Sequence, residues 1–402
     1  MINIPQFIAS NITFRAQSMF AEDIRANKEK LRTEIESKSV LVIGGAGTIG
    51  SSFIHAILKF KPAKLFVVDI NENGLAELTR DLRSTADGYV PEKYLTYPLN
   101  YADPVFEKMF RKEKGFDIVA NFSAHKHVRS EKDLYSVEAL IKNNVINARK
   151  LLDLLTEFPP QRFFCVSTDK AANPVNIMGG SKKIMEDMIM AYSAKYPITT
   201  ARFANVAFSN GSLLDGFIQR FMKRQPLSAP NDVRRYFVSP GESGEICMLA
   251  CMLGQSGEIY FPKLQPEQML TFAEIASAFL KNLGYNATKC ESEETARQMA
   301  KSRAEADTNY PVFYFTSDTT GEKAYEEFFT DSEDIDLSCF HTLGVIKNAP
   351  KRPMSDIDSL FSALTQLFQN PDTSKSDIVE AMKKFLNNFN HEEKGKNLDT
   401  RM

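Results

Sequence analysis

Short apolar runs at 40–43, 64–68, 94–99, 116–124 and 163–166 alternate with stretches of helical spacing, among them 51–60 and 137–155. A sixth run, 198–206, follows a helix that carries Lys182 and precedes another over 213–223. Unbroken apolar runs suit strands covered on both faces, and their alternation with helices predicts an α/β fold built on a doubly wound parallel sheet. Beyond about residue 207 the rhythm gives way to a smaller mixed lobe. It holds helices at 242–253 and 271–283, a strand at 258–261 and a charged, helical stretch over 291–307. Ahead of the sheet, 13–36 carries Phe14, Met19, Phe20, Ile24, Leu31 and Ile35 at helix-like spacing. The chain closes with two amphipathic helices and a polar tail, 391–402, expected to be disordered. The division that follows is a helical extension (1–36), a sheet domain (37–207), a smaller mixed lobe with returns to the core (208–340) and a helical C-terminal extension (341–402).

Composition narrows the partners. A chain of 402 residues with 43% hydrophobic content can bury a sizeable core in more than one lobe. A net charge of −2 gives no electrostatic case for nucleic acid or an anionic membrane surface. Five cysteines show no C-x-x-C pair, and no metal site is expected; Cys247 and Cys251 read as buried thiols on one helix. No apolar run reaches the ~18 residues of a membrane span. These features predict a soluble, cytoplasmic protein with no membrane span.

The first run opens into Gly44-Gly45-Ala46-Gly47-Thr48-Ile49-Gly50 and then a helix. In a strand–turn–helix context, glycines let a backbone approach a pyrophosphate, and the helix amino end offers free N–H groups. The second run ends at Asp69, where a carboxylate accepts ribose hydroxyls and repels a 2′-phosphate. Gly44, Ala46, Gly47, Thr48, Ile49, Gly50 and Asp69 therefore predict NAD, with Asn100 and Ser123 at the following strand ends beside it. The fifth run stops at Ser167-Thr168-Asp169-Lys170, followed by an Asn173-Pro174 turn and the helix of Met178 and Lys182. A hydroxyl, a carboxyl and an amine at a strand end occupy the place where open α/β sheets bind ligands. Arg235 carries a guanidinium that can fork onto phosphate oxygens. Asn144 reads as a buried group bonded to backbone, and Arg234 as a solvated neighbour.

Four motifs together, Ser167-Thr168-Asp169-Lys170-Ala171-Ala172-Asn173-Pro174, Arg202-Phe203-Ala204-Asn205-Val206, Arg235-Tyr236-Phe237 and Gly321-Glu322-Lys323-Ala324-Tyr325-Glu326-Glu327, carry a resemblance. Over about 40–330 the chain resembles the extended short-chain dehydrogenase/reductases, and within them the UDP-N-acetylglucosamine 4,6-dehydratases of polysaccharide biosynthesis. That resemblance implies a Rossmann-like sheet, NAD, a UDP-sugar substrate and a homo-oligomer joined through two helices of the sheet layer. It also implies an elimination in which Asp169 protonates the 6-hydroxyl and Lys170 removes the C5 proton, with Lys182 at the nicotinamide ribose and Lys126, Asn173, Asn205, Ser212, Arg235 and Glu326 as substrate contacts. The wider superfamily has tyrosine where this chain has Met178; a subgroup similar in carrying methionine is associated with retention at C5, and Thr168 would then polarise the 4-hydroxyl. The competing expectations are a C5-inverting dehydratase, a 4-epimerase, a GDP-sugar relative, and a non-catalytic NAD-binding regulator.

Overall fold

A computed structural model describes residues 2–127, 131–317, 323, 325 and 327–391. The apolar runs become the strands β1 (Ser39–Ile43), β2 (Lys64–Asp69), β3 (Lys93–Pro98), β4 (Ile118–Asn121), β5 (Arg162–Val166) and β6 (Ile198–Ala201). They lie in the order β3-β2-β1-β4-β5-β6, all parallel, and the strand Glu258–Pro262 continues them beside β6. Two antiparallel strands, Leu343–Lys347 and Asp334–Asp336, finish that edge. Val40, Leu41, Val42 and Ile43 are 1% exposed or less, because helices cover both faces of the sheet. Each such side chain is worth about 1.5–3 kcal/mol of burial. Strand order reverses between β1 and β4, and a crevice opens there beyond the carboxyl ends.

Several elements depart from the sequence pattern, each for a local reason. The helix expected over 137–155 runs as Leu134–Ile141, a π-helical turn Lys142–Asn147, and Ala148–Glu157. Asn144, 2% exposed, interrupts it by bonding both backbone groups of His125, through Oδ1 (2.9 Å) and Nδ2 (3.0 Å). The run expected over 198–206 leaves the main sheet after Ala201, and Asn205–Val206 pairs instead with Phe237–Val238. Residues 343–347, read as part of a helical extension, are a buried strand of the main sheet. The charged stretch 291–307 holds only the helix Glu293–Ser302; its flanks, Asn286–Cys290 and Asn309–Phe315, join Leu227–Pro230 in a small parallel sheet.

That small sheet has its own apolar core of Phe208, Phe217, Phe279 and Tyr310, into which the first helix, Ile4–Asn11, inserts Phe7 and Ile8. Phe20, Leu31 and Ile35 join the main core instead, so the amino-terminal segment touches both. The helices Met354–Gln369 and Lys375–Phe385 pack through Leu364, Ile378, Met382 and Phe385 onto the main core. There the second of them packs against the helix Ile177–Tyr192, of whose 16 residues 14 are buried. Among the described residues no helix is long and apolar enough to cross a membrane. The tail expected to be disordered lies outside the described residues, apart from His391.

Candidate active site

The glycine turn after β1 is held by main-chain packing. Gly44 adopts φ +75°, and a Cβ there would lie 2.6 Å from the Ser123 nitrogen; one on Gly50 would lie 2.3 Å from the Gly44 oxygen. Only glycine fits either place. Gly47 begins the helix Thr48–Leu58 with no side-chain cap, which leaves first-turn N–H groups and the positive helix end for a ligand. Asp69, ending β2, accepts the N–H groups of Ala46 (3.0 Å) and Asn71 (2.9 Å), so it also braces the turn. A cavity of about 260 Å³ fills the crevice, and Gly44, Gly47, Thr48, Ile49, Gly50 and Asp69 form one wall. Asn100, Ser123, His125 and Lys126 form the facing one. Asn100 Oδ1 is bonded to the Ala102 N–H (2.9 Å). Of the residues predicted for NAD, Ala46 and Lys182 are outside the lining.

One strand over, β5 delivers residues 167–170. Asn121 of β4 pairs with Cys165 of β5 on strands about 4.8 Å apart, and Ser123 and Ser167 each follow two residues beyond that pair. Thr168 Oγ1 donates to Asp169 Oδ1 (2.7 Å), as do the Lys170 N–H (2.9 Å) and Nζ (3.3 Å). The Asp169 side chain is 4% exposed and that of Lys170 19%, so the pair touches in a largely dry setting with the lysine nearer solvent. The next helix approaches closely because Gly179 has no side chain; a Cβ there would lie 2.7 Å from the Lys170 carbonyl. Asn176 caps that helix at the Gly179 N–H (2.7 Å), and the buried Glu131 carboxylate takes the N–H groups of Ile177 (3.1 Å) and Met178 (2.9 Å). Met178 is buried. Lys182 is buried too; its ammonium donates to the Val166 carbonyl (3.0 Å) at the end of β5. Burial pushes its pKa down, against the opposing pull of Cys165 and Glu186. Asn144 Nδ2 bonds Ser181 Oγ (3.0 Å) as well as the His125 carbonyl, and so joins this helix to the cavity wall.

Of the predicted substrate contacts, Lys126 lines the cavity, and Asn173, Asn205, Ser212 and Arg235 are outside its lining. Lys126 Nζ donates to the Asn210 carbonyl (3.0 Å), and the Asn210 N–H donates to Thr48 Oγ1 (2.9 Å). The 209–212 loop is thereby tied to both cavity walls. Desolvation lowers the Lys126 pKa, with Asp215 opposing. Ser212 Oγ accepts the Asp215 N–H (3.2 Å) and caps the helix Leu213–Met222. The backbone of Asn205 bonds Tyr236 (3.1 Å). Arg235 is 3% exposed, with Nη1 on the Arg234 carbonyl (2.8 Å), while exposed Arg234 donates to Met269. Asn173 Nδ2 donates to Glu327 (2.9 Å). Glu326 lies outside the described residues, as do Gly321, Glu322 and Ala324 of its motif.

Residue-by-residue reading missed Glu131, and it missed the buried group of Arg202, Glu186 and Glu333. Arg202 was visible only as a motif letter. Glu186, four residues after Lys182, carried the helical spacing that could have marked it as facing the same strand ends.

Comparison with known proteins agrees with this geometry. The family model described as polysaccharide biosynthesis protein matches residues 40–347. An uncharacterized membrane protein of Methanocaldococcus jannaschii, MJ1061, is 28% identical over 318 residues, covering 77% of this chain and 86% of its own. The probable polysaccharide biosynthesis protein EpsC of Bacillus subtilis is 26% identical over 78% of this chain, which spans only 49% of that longer protein. An inverting UDP-N-acetylglucosamine 4,6-dehydratase of Campylobacter jejuni is 25% identical over 62% of this chain and 72% of its own. Among solved structures, Pen from Bacillus thuringiensis superposes with a TM-score of 0.63 at 18% identity, over 82% of this chain and 98% of its own. The dTDP-glucose 4,6-dehydratase DesIV of Streptomyces venezuelae, a double mutant solved with NAD and DAU bound, gives 0.55 at 19% identity, over 72% and 87%. With its reversing parallel sheet, glycine turn and matched span, the chain belongs to the polysaccharide biosynthesis protein family and is of the extended short-chain dehydrogenase/reductase type.

Proposed function

We propose that the protein is an NAD-dependent nucleotide-sugar 4,6-dehydratase. It converts UDP-N-acetylglucosamine to a UDP-4-keto-6-deoxy-N-acetylhexosamine with retention at C5. The observation that carries this reading is the contact of Asp169 and Lys170, 3.3 Å apart, at the end of β5, the strand next to β4, whose own end lines the glycine-turn cavity. The dehydratase relative and the NAD-bound dehydratase fold neighbour support dehydration, whereas retention rests on Met178 alone, since that relative is an inverting enzyme.

The cavity fits a dinucleotide on its own terms. An uncapped helix start, three glycines and a strand-end carboxylate face one space, and where a Cβ of Gly47 would be the nearest contact is the Gly44 oxygen at 3.5 Å. NAD held there would supply hydride acceptance at C4 and hydride return at C6. The chain's own groups handle the protons. Thr168 orients the 4-hydroxyl in place of the tyrosine that Met178 replaces: its oxygen takes the O4 proton as its own passes along its bond to the Asp169 carboxylate, which becomes the acid of the next step. Once C4 is a ketone, the C5 proton is acidic, and Lys170 takes it. Asp169 protonates O6, the C6–O bond breaks, and water leaves a double bond between C5 and C6. The proton then returns to C5 on the face it left. Acid and base in such roles contribute ~10²–10⁴ each. Arg235, Lys126, Asn173, Asn205, Ser212 and Glu326 are proposed to hold the UDP-sugar, Lys182 the ribose.

Incubation of the pure protein with UDP-N-acetylglucosamine, read by mass spectrometry, should show loss of one water. Ring couplings by NMR should show the C5 configuration unchanged. Unaltered substrate in the presence of bound NAD would count for a nucleotide-binding regulator instead, and an altered sugar that keeps its 6-hydroxyl for an epimerase.

A further inference from the structure

Arg202 follows β6 and is 0% exposed. Its guanidinium has five N–H groups, and the surroundings use all of them. Nε and Nη2 fork onto Glu186 (2.9 and 2.7 Å), and Nη1 and Nη2 onto Glu333 (2.9 Å each). Nη1 also donates to the Phe328 carbonyl (3.0 Å). The two carboxylates lead in different directions. Glu186 lies on the helix of Met178 and Lys182 and accepts the Ser167 hydroxyl (2.6 Å), the residue before Thr168. Glu333 closes a turn by accepting the Thr330 N–H (2.9 Å). From that turn the Phe328 ring packs 5.3 Å from Tyr236, the neighbour of Arg235, and Glu327 holds Asn173. One guanidinium therefore joins the strand end that carries the acid–base pair to the segment that meets Asn173 and Tyr236.

Stability alone does not account for this group. Buried ion clusters are weak stabilisers, and neutral side chains of similar volume often replace them without loss. A planar fork does fix the direction of two carboxylates at once, which an apolar contact cannot. We propose that Arg202 is a positioning residue that locks residues 167–170 and the segment 327–333 in one relationship, so that acid, base and substrate segment meet the same sugar. The kinetic part of its test rests on the dehydratase reading; the hydrogen-exchange part does not.

Arg202→Met alone strands two buried carboxylates, so the informative variant of the full chain is R202M/E186Q/E333Q, which removes all three charges together. It should fold and bind NAD as the wild type does. Amides of 327–333 should exchange at least tenfold faster while those of β6 keep their protection, and kcat/KM for UDP-N-acetylglucosamine should fall at least tenfold. Two single variants cut one arm each: Ser167→Ala should lower kcat with KM unchanged, and Glu333→Gln should raise KM more than it lowers kcat. Wild-type kinetics and exchange in the triple variant would overturn the proposal. If the triple variant does not fold, equal effects of the two single variants on both constants would overturn it. Should the wild type leave UDP-N-acetylglucosamine untouched, the dehydratase reading falls, and protection at 327–333 still decides the role of Arg202.

Discussion

Adding one methyl group, in Gly47→Ala, separates the needs of the fold from those of a nucleotide. Gly47 has φ −73° and ψ 161°, extended values open to alanine, so the substitution brings no backbone strain. The nearest protein atom to the new Cβ is the Gly44 oxygen at 3.5 Å, an ordinary contact. Alanine is a poorer helix cap than glycine, but it also restricts the unfolded chain, and the two effects are of opposite sign and each about 0.5–1 kcal/mol. Stability should therefore change by less than about 1 kcal/mol. Binding is another matter, because the methyl group points from the helix start at which a pyrophosphate would sit. Displacing the phosphates by the width of a methyl group breaks at least one charge-assisted hydrogen bond, worth about 1.5–3 kcal/mol, or roughly 10- to 150-fold in Kd. Calorimetric titration of NAD into the apo variant, beside a thermal melt, measures both quantities. A variant that melts like the wild type and binds NAD equally well would show that no dinucleotide passes over Gly47. Gly50→Ala is the contrasting case: its Cβ meets main chain at 2.3 Å, so fold and binding should fail together.

Three further outcomes are expected. Lys170→Ala should fold and keep NAD while turnover drops by ~10²–10⁴; wild-type rates in a product assay would remove it from the chemistry. Met178→Tyr should leave the wild type's need for tyrosine at none: an enzyme active only after that change would be a relic, as steady-state rates of the two proteins would reveal. Burial holds the Lys182 ammonium below its ordinary pKa of about 10.4. Between the depressed value and the ordinary one the unfolded chain binds the extra proton, so this lysine favours folding increasingly as pH rises. Urea midpoints from about pH 7 to about pH 10 should therefore rise for wild type relative to Lys182→Met, and parallel curves would refute the shift.

What could be seen in the sequence was whatever declares itself over a few residues. Gly44 and Gly50 are demanded by contacts within one turn, and residues 167–170 follow directly from the strand that presents them. The edges of the site depend on distance along the chain. Arg202 meets one carboxylate 16 residues back and another 131 residues ahead, and no periodicity links such positions. The small-lobe strand Asn286–Cys290 is half polar and only partly buried, so it carries no apolar run. Ser212 shows the opposite error of emphasis: Ser212-Leu213-Leu214-Asp215 has the spacing of a helix cap, which is the bond its hydroxyl makes. The Asn144 interruption was legible as a buried amide but not as a π turn, because its partner, His125, belongs to another strand end.

The helix Ile177–Tyr192 owes its seclusion to residues that lie past the end of the family match at 347. Gly180 leaves room for Met382 and Phe389, Asp187 is gripped by Arg352 (2.9 Å), and Lys375 reaches the backbone of Glu131. The face of this helix at Gly180 is covered from within the same chain, by Met382 and Phe389. The backing of Met178 and Lys182 thus comes from a region beyond the span that the family model matches.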